Sequence, residues 1–86
     1  MTRAELREKI AAAIYAVFND RPKGELDGLL QHDTFRMDAL TDSSIRLTEL
    51  CFQIEEALEI EIETSEMFDN PSLATVLDRL HAKLPA

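Results

Sequence analysis

Between residues 2 and 19 the apolar side chains Leu6, Ile10, Ala13, Ile14 and Val17 recur at intervals of three and four. That spacing lays them along one face of an α-helix. Thr2 stands before the run and Glu5 three residues later, a pair that satisfies the free amides of a helix start reciprocally. Asn19, Asp20, Pro22 and Gly24 end it. From there to residue 42 no period persists, although Leu26, Leu29, Leu30, Phe35, Met37 and Leu40 are scattered through the stretch. A connection that long in a small domain is expected to pack on the core or to serve function, and its leucines and Phe35 favour packing.

A second helix is expected from Ser43 or Ser44 to Leu58, with Asp42 or Ser43 as its cap. At about 100° per residue, Leu47, Leu50, Cys51, Ile54, Ala57 and Leu58 share one face. Ile45, Thr48, Glu49, Phe52, Glu56 and Glu59 share the other. Ile60 and Ile62 alternate with Glu61 and Glu63 over too few residues for a sheet strand. Thr64 or Ser65 is placed to cap a short turn through Phe68, and Asn70-Pro71 opens a last helix, residues 71 to 84, with Pro at its first position. That helix is expected to bury Leu73, Val76, Leu77, Leu80 and Leu84. The pattern predicts an all-α bundle of three main helices plus one short helix, with a long first loop.

Length bounds this reading. Eighty-six residues, 45% of them hydrophobic, suffice for one small core, so residues 1–86 are read as a single domain. No apolar run is long enough to span a bilayer and no leader pattern opens the chain. One cysteine, Cys51, allows no internal disulfide. A soluble, cytoplasmic monomer is the expectation, with no membrane partner.

The net charge of −8 disfavours nucleic acid, which calls for clustered bases, and favours a basic protein partner. The acid is concentrated. Residues 44–70 hold Glu49, Glu55, Glu56, Glu59, Glu61, Glu63, Glu66 and Asp69 against one base, Arg46, while the rest of the chain is nearly neutral. Such crowding predicts raised carboxylate pKa values and a fold that gains stability as pH falls.

Candidate chemistry is sparse. His32 and His81 have no ligand spacing with Cys51 or a carboxylate. Asp33, Asp38 and Asp42 lack the frame of a calcium loop. Gly24 and Gly28 make no phosphate cradle, and Cys51 falls on the apolar face as an inert thiol. No metal site and no catalytic residue is predicted, and the chain is not read as an enzyme. Phe52 is different, because it lies opposite the core with Ile45 and is rimmed by Glu49, Glu55, Glu56 and Glu59. That arrangement reads as a docking surface beginning at a serine. The alternative places Phe52 under the long loop as a core residue.

The segment from Leu40 to Ile62 resembles the central part of acyl carrier proteins and peptidyl carrier proteins, in which Asp-Ser-Leu opens an acidic helix containing Glu-Leu and Leu-Glu-Glu steps. With Ser44 on that family's modified serine, Ile45 takes the place of the following Leu. Glu49-Leu50 meets the Glu-Leu pair, Ile54-Glu55-Glu56 the Leu-Glu-Glu step, and Ile62 the Ile beyond the helix, without a gap. MFDNPSLATVLDRL, residues 67 to 80, is similar to the end of the same domains. The family's Asp before the serine is replaced by Ser43, with Asp42 one residue earlier. Choosing Ser43 as the modified residue would restore Asp-Ser but turn every later match by 100° of helix.

The resemblance implies a small four-helix carrier-protein bundle that bears a 4′-phosphopantetheine arm on Ser44, or less favourably on Ser43. A phosphopantetheinyl transferase would install the arm. Its thiol would hold acyl or aminoacyl intermediates as thioesters for loading and downstream biosynthetic enzymes, in polyketide, nonribosomal peptide or related specialised biosynthesis. Ile45, Glu49, Phe52, Glu55 and Glu56 would meet the basic docking faces of those partners. The competing reading is an acidic helical interaction module that is never modified.

Overall fold

A computed structural model of the chain describes residues 1–84. The first helix, α1 (Arg3–Val17), starts at the expected reciprocal cap. Thr2 Oγ1 accepts the Glu5 amide at 3.1 Å and Glu5 Oε1 accepts the Thr2 amide at 3.4 Å. Leu6, Ile10, Ala13 and Ile14 are buried, and Phe18, at the C-cap, fills the space beyond them. Val17 is only half-buried.

The long connection contains a helix that its residues do not advertise, α2 (Lys23–Leu30). Two of its eight residues are glycines, each costing about 1 kcal/mol of helix propensity relative to Ala. Tertiary burial of Leu26 and Leu30, one turn apart, supplies what propensity lacks. A 3₁₀ turn (Met37–Ala39) follows and buries Met37, with Leu40 buried just after it.

The acidic helix, α3 (Ser44–Leu58), buries Leu47, Leu50, Cys51, Ile54 and Leu58. Ala57 departs from expectation: it is exposed and edges a shallow groove beside Lys9, Ala12 and Gln53. Glu59 ends the helix in the left-handed conformation at φ 56°, where glycine is the usual residue. Ile62 is then buried and Ile60 half-buried without forming a strand.

The single turn α4 (Ser65–Phe68) buries Met67, and Thr64 makes no capping hydrogen bond to it, contrary to the sequence reading. The last helix, α5 (Leu73–His81), is shorter than expected. Ser72, not Pro71, sets its start, with Ser72 Oγ accepting the Thr75 amide at 3.2 Å. Pro71 is buried ahead of the cap, and its carbonyl accepts the Met37 amide at 3.1 Å. Leu84 lies beyond the helix, half-buried against the core.

The helices enclose one continuous apolar cluster, with α1 packed chiefly on α3 and secondarily on α5. The stretch before the 3₁₀ turn is stitched to the α4–α5 junction. Leu73 donates to the Phe35 carbonyl and Ala74 to the Asp33 carbonyl, each at 2.9 Å. No described helix is long and apolar enough to cross a membrane.

Arginines complete the frame. Arg7 donates to the carbonyl of Leu30 at the end of α2, and Arg46 to that of Val17 at the end of α1, at 2.7 Å. Arg21 holds the Ala39 and Leu40 carbonyls at 2.9 and 2.8 Å. Arg79 holds the Glu66 carbonyl at 2.6 Å. Cations at helix C-termini complement the carbonyl dipoles. Positive charge is thereby drawn into the joints of the fold, while Glu49, Glu56, Glu59, Glu61 and Glu63 of the acidic segment face solvent.

Candidate functional site at the start of the acidic helix

The two adjacent serines have different environments. Ser43 is the N-cap of α3, with extended backbone, and its Oγ accepts the Arg46 amide at 3.4 Å. Its own amide donates to Thr41 Oγ1 at 3.0 Å. Ser44 is the first helical residue and is exposed, and its hydroxyl makes no hydrogen bond among the described residues. Asp42, the alternative cap, is exposed and leaves that role to Ser43.

The turn that carries Ser44 is fastened to α1 through Arg46. Its guanidinium donates to both carboxylate oxygens of Asp20, at 2.7 and 3.1 Å, and lies over the Phe18 ring with its centre 4.9 Å from the centroid. The paired guanidinium holds the Asp20 carboxyl below the usual carboxylate range.

Two grooves meet at Ser44. The first, of about 360 Å³, runs between the start of α3 and α4. Met37, Leu47 and Met67 form its buried floor and Phe68 one wall; Asp38, Thr41, Asp42, Ser43 and Asn70 border it. Asn70 is held in the left-handed conformation at φ 58°. Its Oδ1 accepts the Asp38 amide at 3.0 Å, and its Nδ2 donates to Asp38 Oδ2 at 3.2 Å. The second groove, about 320 Å³, lies over the outer face of α3 between Ile45, Thr48, Glu49, Phe52 and Phe68.

That outer face has the predicted composition. Ile45 is 72% and Phe52 64% exposed, so Phe52 is not a core residue under the loop. Glu49 and Glu56 are exposed along the same stripe, whereas Glu55 is half-buried toward the side. Phe68, 43% exposed, completes the apolar patch from α4. The sequence reading gave Phe68 no part in the site, because a four-residue helix has no period to reveal its faces.

Arg79 positions α4. Besides the Glu66 carbonyl it binds both oxygens of Asp69, at 2.9 and 3.0 Å, and Lys83 Nζ lies 3.1 Å from Glu66 Oε1. The guanidinium lowers the Asp69 carboxyl below its ordinary range. The rise expected from crowded carboxylates is reversed at this position, because a paired cation at hydrogen-bond distance outweighs like charges across solvent. Cys51 is fully buried, and burial first, then the Glu55 charge, pushes its thiol up to about 11. Among the described residues, no three His, Cys, Asp or Glu side chains are grouped to hold a metal ion.

The family model for the phosphopantetheine attachment site matches residues 29–80, which include both serines, both grooves and the acidic helix. The chain belongs to this family. Its cofactor is therefore 4′-phosphopantetheine, covalently attached, and the protein is a carrier. Comparison with curated proteins and with solved structures gives no match. The residues present fit the cofactor. The carrier offers an exposed hydroxyl at the capped start of α3, with an apolar groove opening beside it.

Proposed function

We propose that Ser44 is the attachment residue and that the carrier presents acyl or aminoacyl intermediates to the enzymes of a polyketide, nonribosomal peptide or related specialised pathway. The observation that carries this reading is the contrast between the serines: Ser43 Oγ is engaged as the cap, and Ser44 is exposed with its hydroxyl free of such a bond. The arm supplies the thiol on which the cargo is held as a thioester.

The chain's own residues prepare the hydroxyl and present the arm. In a transferase active site, Ser44 Oγ forms the new bond to the pantetheine 4′-phosphate phosphorus of coenzyme A. The pyrophosphate P–O bond breaks, adenosine 3′,5′-bisphosphate departs, and the hydroxyl proton passes to a base of the transferase. Ser43 and Arg46 keep the α3 start folded while this happens. Ile45, Phe52 and Phe68 offer an apolar patch to each partner, and Glu49 and Glu56, with Glu55 at the side, steer basic faces toward it. Docking that relies on exposed charge is salt-sensitive and quickly reversed, which suits a component that visits several enzymes.

The test is incubation with coenzyme A and a broad-specificity phosphopantetheinyl transferase, followed by intact-mass measurement. Addition of one phosphopantetheine supports the carrier reading, and an unchanged mass supports an unmodified interaction module.

A further inference from the structure

Ser43 and Ser44 are of the same capping type, so residue type alone does not decide which of them starts α3. With Ser43 as cap, its Oγ accepts the Arg46 amide at 3.4 Å and its carbonyl accepts the Leu47 amide at 3.1 Å. A start slipped by one residue would give the Leu47 amide to Ser44 Oγ instead. The Arg46 amide would then lose its partner, and the Ser44 hydroxyl would no longer be free. Locally the slip trades one backbone bond for one side-chain bond and costs little. The register is set from outside the helix. Thr41 Oγ1 accepts the Ser43 amide at 3.0 Å, with Ser43 in the extended conformation that a cap requires, φ −87° and ψ 120°. Thr41 is itself held. Its amide donates to the Met37 carbonyl at 3.2 Å, and Arg21 grips the carbonyls of Ala39 and Leu40 just before it. On the other side Arg46 ties α3 to Asp20 and Val17. Both flanks of the turn are thus fixed. Extending Ser44 would have to be compensated by turning the peptide ahead of Ser43, which takes the Ser43 amide off Thr41.

We propose that Thr41 is a positioning residue for the loading reaction: by holding the Ser43 amide it commits Ser43 to the cap and leaves Ser44 Oγ free to receive the arm. This rests on the attachment at Ser44. Thr41 acts through Ser43 and not on the reacting atoms. Its hydroxyl chooses between two adjacent serines that the helix itself does not distinguish. A molecule in the slipped register presents no free Ser44 hydroxyl, so it is lost to the transferase until it slips back. The apparent affinity for the transferase then falls with the competent fraction, while the chemical step of each competent molecule is unchanged.

The experiment uses the full chain, with amide hydrogen exchange on the unloaded protein and transferase kinetics followed by intact mass. Thr41→Val keeps the branched shape and removes the accepting oxygen, and Thr41→Ser keeps the oxygen. In Thr41→Val the Arg46 amide should exchange about fivefold faster, the factor that one ordinary hydrogen bond is worth. The Leu47 amide, partnered in either register, should hold its rate. The KM for the carrier should rise with kcat unchanged, and Thr41→Ser should restore both readings. Asp78→Asn loosens the Arg3 pair at the start of α1 and should move neither. An unchanged Arg46 rate in Thr41→Val overturns this inference, as does exchange that quickens equally at Arg46 and Leu47, or quicker exchange with KM unchanged. In each of those cases one phosphopantetheine still adds and the carrier reading stands. A wild-type protein of unchanged mass contradicts the carrier reading and this inference together.

Discussion

Arg46 and Asp20 are joined by two charge-assisted hydrogen bonds across 26 residues of chain, and that pair fastens the start of the acidic helix to the end of α1. The same guanidinium reaches the Val17 carbonyl and stacks on Phe18. Arg46→Lys should therefore behave unlike a conservative change, since an ammonium cannot grip both oxygens and the carbonyl in one plane. Thermal melts should rank wild type above Arg46→Lys and Arg46→Lys above Arg46→Ala. Amide exchange at residues 44–47 should quicken in the same order.

Acidification should destabilise the fold. The carboxyls of Asp20 and Asp69 are held low by Arg46 and Arg79, and that of Glu5 by its bonds with Thr2. Groups with depressed folded-state values contribute stability that is fully present above their unfolded values, about 4. That contribution is lost as pH falls through the lower folded values. Melting midpoints should drop below pH 4, and Asp20→Asn with Asp69→Asn should flatten that fall. A midpoint that climbs on acidification would mean that repulsion among the α3 glutamates dominates instead.

Phe52→Ala should spare the fold, because the ring is mostly solvent-exposed, and weaken docking to a loading enzyme by about 1–2 kcal/mol if the ring fills a partner pocket. Glu49→Lys and Glu56→Lys should mainly slow association, and that loss should shrink at high salt. Paired melting and surface-binding measurements separate these outcomes from a core defect, for which Leu50→Ala, costing about 2–5 kcal/mol, is the reference.

Much of this was legible in the sequence. The cap at Thr2 and Glu5 and the buried face of α3, apart from Ala57, follow from residue type and spacing; spacing puts Ile45 and Phe52 on the outer face and leaves a core place for Phe52 open. Helix α2 was hidden because Gly24 and Gly28 weaken its propensity and its partner surface is formed by distant residues. Phe68 and Met67 were hidden for a related reason. A single turn shows which way its side chains point only after Arg79, Asn70 and the pairing with residues 33–38 have placed it. The arginine clamps span 13 to 29 residues of chain and leave no local pattern.

Cys51 should be silent toward thiol reagents at neutral pH in the folded protein, being buried with its thiol held near 11. A reagent titration of the loaded carrier should count one fast thiol, the arm's, and a second only on unfolding. Rapid modification of the unloaded protein would show that the core around Cys51 opens.

The central claim is that Ser44 alone takes the arm, and intact mass after transferase and coenzyme A treatment of serine variants tests it most directly. Ser43→Ala removes a cap worth about 1 kcal/mol, so Ser43→Asn, which restores a capping oxygen, is measured beside it. Wild type, Ser43→Asn and folded Ser43→Ala are predicted to gain one phosphopantetheine, and Ser44→Ala none. Loading of Ser44→Ala, or its loss in Ser43→Asn and Ser43→Ala while both remain folded, would contradict the account.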